Sequence, residues 1–194
     1  MIIGLTGGIA TGKSTVCKIL KGLNVKIIDS DKIAHQVLTY NDVIDKIKDQ
    51  FGEKILDQKG NINRKKLGSI VFEDDKKRKL LESITHPKIF TIIENKIEEY
   101  KDSEGKIIVL DAPLLFETSL DKKVDETWVV YTSKETQINR IIERDNLNKK
   151  EAMQRIDAQM DLDKKAEKAD IVINNEGSIA DLEKKITKLV EKRR

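Results

Sequence analysis

The chain has 194 residues, 37 of them basic and 34 acidic, for a formal net charge of +3. That length suits one principal domain with small inserted parts, and so even a charge balance argues against a dedicated nucleic-acid or membrane binder while leaving room for a local basic pocket. The single cysteine, Cys17, excludes an intrachain disulfide framework and a cysteine metal cluster; with no signal-peptide start and no apolar run of spanning length, a cytoplasmic protein is expected.

In chain order, Ile2-Ile3-Gly4-Leu5 reads as a buried strand. Val16, Ile19, Leu20 and Leu23 then recur at i, i+3, i+4, i+7, one face of a helix. Between them, Gly7-Gly8-Ile9-Ala10-Thr11-Gly12-Lys13-Ser14-Thr15 fits the phosphate-cradling pattern G-x-x-x-x-G-K-[ST]. Glycines let backbone N–H groups come close to a triphosphate, and the helix N-terminus offers unpaired N–H groups and a positive dipole end. Lys13 is placed to reach the β- and γ-phosphates, the Ser14 hydroxyl to hold Mg²⁺, and Thr15 to contact the α-phosphate.

Val25 to Asp29 reads as a second strand, with Ser30 expected to cap the next helix and Asp31 in its first turn. Residues 41 to 100 look mainly helical, with apolar stripes at Val43, Ile44 and Ile47, at Leu80, Leu81 and Ile84, and at Ile89, Ile92, Ile93 and Ile97. Phe51-Gly52 and Gln58 to Asn61 are turn signals. Ile107 to Asp111 is a continuous apolar run ending in an acid, which suits a buried parallel strand. Thr127 to Tyr131 is a fourth strand. Thr132 with Glu135 predicts a capping box for a helix carrying Ile138, Ile141 and Ile142. Asn148 with Glu151 predicts another, opening a helix through Met160. Ile171 to Asn174 is the last strand, and an amphipathic tail follows from about Ser178. The pattern predicts an α/β fold of P-loop NTPase type, an open parallel five-stranded sheet with helices on both faces. Its ligands belong beyond the C-terminal strand ends, where the P-loop, Asp29, Asp31 and Asp111 all fall.

Asp111 is then the Walker-B-type acid for Mg²⁺, and either Asp29 or Asp31 could accept the proton of an acceptor hydroxyl. Arg140, Arg144 and Arg155 lie on the two late helices, where they could close over phosphates; the plainer reading is salt bridging to Glu143 or Asp157. His35 and His86 are too few for a metal site, and His86 before Pro87 suggests a surface turn.

Several blocks together resemble the dephospho-coenzyme A kinase family: Gly4 through Thr15; Asp29-Ser30-Asp31 with Ile33-Ala34-His35; Asn63-Arg64 with Leu67, Gly68, Val71 and Phe72; and His86-Pro87. Asp111-Ala112-Pro113-Leu114-Leu115-Phe116-Glu117 follows, then Gln137 with Arg140 and Arg144-Asp145, Arg155-Ile156 with Gln159-Met160, and Ala169-Asp170 with Asn174-Asn175. The likeness spans nearly the whole chain, and the Pro-Leu-Leu-Phe-Glu and Arg-Ile…Gln-Met blocks are its most specific parts. Ala10 stands where many members have glycine, and Ser30 where alanine is common.

The resemblance implies an enzyme that uses ATP and Mg²⁺ to phosphorylate the ribose 3′-hydroxyl of dephospho-CoA, the last step of coenzyme A synthesis. By position, Asp31 is the implied base, with Lys13, Thr6 and Arg140 near the reacting phosphate. Gly8, Ala10, Thr11, Gly12, Lys13, Ser14, Thr15 and Asn175 are implied for ATP, and Ser14 with Asp111 for Mg²⁺. His86, Pro87, Leu114, Phe116 and Arg155 are implied on the dephospho-CoA side together with Asp31. The implied parts are a nucleotide core at 1–31, 104–137 and 163–194, a helical CoA-binding segment at 32–103 and a lid at 138–162. A monomer or weak homo-oligomer is expected. The rival readings are another small-metabolite kinase on the same core, a nucleotide-dependent switch, which lacks support because no Asn-Lys-x-Asp sequence occurs, and a nucleic-acid binder, which the charge balance disfavours.

Overall fold

The computed structural model describes residues 1–101 and 107–194, so the expected boundary at 103/104 lies outside the described residues. The chain divides into two units, Met1–Asp29 with Ile97–Arg194, and Ser30–Lys96.

In the first unit the five apolar runs become β1 (Ile2–Gly7), β2 (Lys26–Asp29), β3 (Ile108–Asp111), β4 (Glu126–Tyr131) and β5 (Ile171–Asn174). All pairings are parallel, in the order β2-β3-β1-β4-β5. Parallel neighbours cannot be joined by tight hairpins, so each connection must cross a face of the sheet. Within this unit the crossings carry α1 (Lys13–Gly22), α6 (Lys134–Asp145), α7 (Lys149–Asp157) and α8 (Leu162–Lys168), and α9 (Ile179–Glu191) follows the last strand. Leu5 and Asp29 both lie opposite Asp111, and Gly7 lies opposite Val130. The register therefore puts the end of β1, Asp29 and Asp111 on one edge of the sheet.

The core joins Ile3, Leu5, Val109, Trp128 and Val130 of the sheet to Val16, Cys17 and Leu20 of α1 and to Leu182, Ile186 and Val190 of α9. Trp128 donates its indole N–H to Glu126 Oε2 at 3.0 Å, and Arg193 grips the same carboxylate at 2.5 and 2.6 Å. Those bonds hold Glu126 below the usual carboxylate range.

Two helix boundaries of this unit differ from expectation. The cap of α6 is Ser133, whose hydroxyl accepts from Thr136 N, and not Thr132, whose hydroxyl donates to Glu176 at 2.5 Å. The capping box of Asn148 and Glu151 does open α7, but the helix stops at Asp157, short of Met160. Past that point Gln159 and Met160 bond elsewhere, to Ile9 N and Glu117.

The second unit holds α2 (Ser30–Val37), α3 (Asn41–Phe51), α4 (Arg64–Phe72) and most of α5 (Asp75–Lys101). Ser30 lies inside α2 rather than capping it. Ile33, Val37, Val43, Ile47, Phe51, Ile55, Leu67, Ile89 and Ile93 are buried. Gly52 and Gly60 both take positive φ at the expected turns. His86-Pro87 is not a turn: both lie inside α5. An interior proline costs about 3 kcal/mol, but each buried Ile at 89, 93 and 97 returns roughly 2 kcal/mol, so packing outweighs the local penalty. One turn on, Thr91 Oγ1 donates to Pro87 O at 3.0 Å, and His86 packs against Phe90, 5.4 Å between rings.

Candidate active site

β1 runs straight into the loop, and α1 starts at Lys13. Four successive carbonyls of that loop are claimed by side chains. Thr11 Oγ1 donates to Gly8 O at 2.9 Å, Gln137 Nε2 to Ile9 O at 2.7 Å, Arg140 Nη1 to Ala10 O at 3.3 Å, and Asn175 Nδ2 to Thr11 O at 2.8 Å. Arg140 Nη2 also reaches Asn175 O at 3.1 Å. With the carbonyls drawn into the protein and no side chain capping α1, the helix-start amides are left for an anion. Gly12 is left-handed at φ 91°, and a Cβ there would run into Asn175 Nδ2, so the position demands glycine. Ala10 is also left-handed, at φ 61°, a conformation costing an L-residue about 1–2 kcal/mol. A cavity of about 500 Å³ opens here, lined among others by Ala10, Gly12, Ser14, Thr15, Arg140 and Asn175.

Lys13 Nζ forms an ion pair with Asp111 Oδ1 at the end of β3, and both side chains are largely buried. The other carboxylate oxygen accepts from Cys17 Sγ at 3.3 Å. Burial first, and the Asp111 charge second, push the Cys17 thiol up to about 12, so it stays protonated and acts as a donor. The Ser14 hydroxyl and the Asp111 carboxylate are hard oxygen donors of the kind Mg²⁺ takes. Among the described residues no group of three or more His, Cys, Asp or Glu could hold a metal unaided.

Thr6 is fully buried, and its hydroxyl donates to Pro113 O at 3.0 Å. Leu114 is exposed, while Phe116 is half-buried with Lys168 Nζ 5.9 Å from its ring. Arg155 and Arg144 both pair with Asp145, at 2.5 and 2.8 Å, and not with the expected Glu143 or Asp157; Lys134 takes Asp157 at 3.0 Å. The two guanidiniums, Arg144 foremost, keep the Asp145 carboxyl below its usual range. Glu176 accepts from Ser133 N, Thr132 Oγ1 and Thr136 Oγ1, and these bonds pull it down to about 2. Asp31, in the first turn of α2, and His86 and Pro87, within α5, belong to the second unit.

Sequence reasoning missed the loop-holding role of Gln137, the Glu176 anchor and the burial of Lys165. Gln137 and Gln159 stood in the family-like blocks, which was their only signal. Lys165 lies in a lysine-rich run indistinguishable from solvated surface.

A parallel sheet whose central strand feeds this loop, with Lys13 at the helix start and Asp111 at the neighbouring strand end, defines a P-loop kinase. The dephospho-CoA kinase family model matches residues 1–181, and the chain belongs to that family of enzymes, which phosphorylate an alcohol group of dephospho-CoA with ATP in the last step of coenzyme A synthesis. A dephospho-CoA kinase of Carboxydothermus hydrogenoformans is 47% identical over 192 residues, 98% of this chain and 93% of the relative. The solved dephospho-CoA kinase of Campylobacter jejuni is 37% identical with a TM-score of 0.75, covering 98% of this chain and 96% of that one. A solved Thermus thermophilus chain is 29% identical with a TM-score of 0.86, covering 99% and 97%. No helix of the described residues is long and apolar enough to cross a membrane.

Proposed function

We propose that this chain moves the γ-phosphoryl group of ATP to the ribose 3′-hydroxyl of dephospho-CoA, using Lys13, Arg140 and Asp31. The observation that carries the reading is the loop from Gly8 to Thr11, whose four carbonyls are each held back by a side chain beside a nucleotide-sized cavity. ATP would lie with its phosphates against the start of α1 and its adenine toward Asn175. Lys13 would exchange Asp111 for the β- and γ-phosphate oxygens. The released Asp111 carboxylate and the Ser14 hydroxyl would hold Mg²⁺, which neutralises charge on the phosphates. Arg140, already tied to Ala10 of the loop and to Asn175 just past β5, would screen the charge that develops in transfer.

Asp31 would accept the proton of the 3′-hydroxyl, a role that needs an ionised carboxylate in hydrogen-bond reach of the acceptor. Its place in the first turn of a helix favours the ionised form. Leu114, Phe116, Arg155, His86 and Pro87 would contact dephospho-CoA, and Thr6 would act from beneath by holding Pro113. Residues 1–31, 104–137 and 163–194 would form the nucleotide core, 32–103 the acceptor segment and 138–162 a lid that excludes water. The enzyme would act in the cytoplasm, as a monomer or weak homo-oligomer, without nucleic acid.

The test is a coupled assay of the purified protein with ATP and Mg²⁺, offering dephospho-CoA, nucleosides and other small alcohols in turn. ADP release that depends on dephospho-CoA, with coenzyme A as the product, is expected. ADP release that ignores dephospho-CoA, or that prefers a nucleoside, overturns the reading.

A further inference from the structure

Helix α8 reads as lysine-rich surface, yet Lys165 is fully buried. A buried ammonium must find acceptors, and this one finds two on a single loop. Its Nζ donates to Pro113 O at 2.7 Å and pairs with Glu117 Oε1 at 2.9 Å. Both acceptors are shared. Pro113 O also accepts from buried Thr6, and Glu117 Oε1 also accepts from Met160 N at 3.3 Å. The loop leaves the sheet directly after Asp111. Midway along it, Leu115 is buried and seated on Gly4, where a Cβ would come within 2.8 Å of Leu115 Cδ2. Pro113, Leu115 and Glu117 are thus three fixed points, and the residues between them, Leu114 and Phe116, keep exposed surface.

We infer that Lys165 is a positioning residue for the acceptor. It holds Pro113 and Glu117 so that Leu114 and Phe116 are presented to dephospho-CoA, and through Glu117 and Met160 it ties that loop to the segment leaving α7. The inference rests on the proposed reaction and deepens it. An apolar side chain could fill the same space, but it would leave a carbonyl short of one donor and a carboxylate without its counter-charge.

The test separates positioning from plain stability. Lys165→Met takes a donor from Pro113 O and the counter-charge from the partly exposed Glu117, and is expected to lower Tm. The double variant Lys165→Met with Glu117→Leu removes the carboxylate that has lost its partner and is expected to recover part of that loss. In the double variant the KM for dephospho-CoA should stay raised by about 10-fold or more, with ATP affinity within about twofold of wild type, because only acceptor alignment is lost. Glu117→Gln, which keeps the shape, should raise the same KM by about threefold with little change in Tm, and it carries the test if both Met variants fail to fold. A wild-type KM for dephospho-CoA in the double variant or, failing its folding, in Glu117→Gln, or an equal loss of ATP affinity, overturns the role of Lys165. A wild-type protein that does not use dephospho-CoA brings down the reaction itself, a result distinct from intact turnover with an unmoved KM in the variants.

Discussion

The two units hold their candidate site residues in different ways. In the sheet unit, the nucleotide loop is fixed from outside its own element, by Gln137, Arg140, Gln159 and Asn175, residues far along the chain. In the helical unit, the features that stand out are apolar faces, and Asp31, His86 and Pro87 ride on helices fixed by buried isoleucine, valine and phenylalanine. The difference teaches where damage should show. A change at the residues that hold the loop should reach nucleotide binding, whereas a change at Asp31 should reach the transfer and spare the nucleotide.

The sharpest break of that division comes from Lys13. Lys13→Met should cut kcat/KM by about 10³-fold or more and weaken ATP binding as well, since it removes a charge on the transferred group. Steady-state kinetics and ATP calorimetry would read both. Asp31→Asn should cut turnover by about 100-fold or more with ATP affinity held within about twofold, the scale of a lost general base. An equal loss of ATP affinity there would dissolve the distinction between the units, and near-normal turnover would remove Asp31 from the role.

A smaller effect lies at Glu176. Its carboxyl sits at about 2 in the folded chain against an ordinary 4.5, so its hydrogen bonds stabilise the fold fully above about 4.5. That contribution disappears as pH falls from about 4.5 toward 2. Melts in this window should show Tm dropping less steeply for Glu176→Gln than for wild type. Asp145 and Asp170 are also lowered and keep a residual slope of the same sign in the variant. The smallest effect is expected at Ala10. Glycine there removes a left-handed cost of about 1–2 kcal/mol but frees the unfolded chain by about 0.4–1 kcal/mol, so Ala10→Gly should stabilise by between about 0 and 1.6 kcal/mol, read as a shift in Tm.

The sheet was legible because a buried parallel strand must be an apolar run. The last strand matches its expected span, and the others shift by one or two residues at an end. The P-loop pattern and the place of Asp111 at the end of a strand were legible because phosphate chemistry restricts residue type and order. What escaped was decided by distant partners. Thr132 and Ser133 are equally good caps in sequence, and the choice falls to Glu176, 44 residues beyond Thr132. Helix α7 ends early because Gln159 and Met160 serve Ile9 and Glu117. Pro87 is carried through a helix by burial that no local rule sees. The burial of Lys165 depends on a loop about fifty residues upstream.

Cys17 gives the molecule a built-in clock. It is the only sulfhydryl in the chain, 8% exposed and held protonated against Asp111. A colorimetric alkylating or disulfide reagent in excess should therefore stay almost silent on the native protein and react only as α1 comes away from the sheet. The pace of colour development would then follow opening of the nucleotide end of the molecule, without a label or an engineered probe.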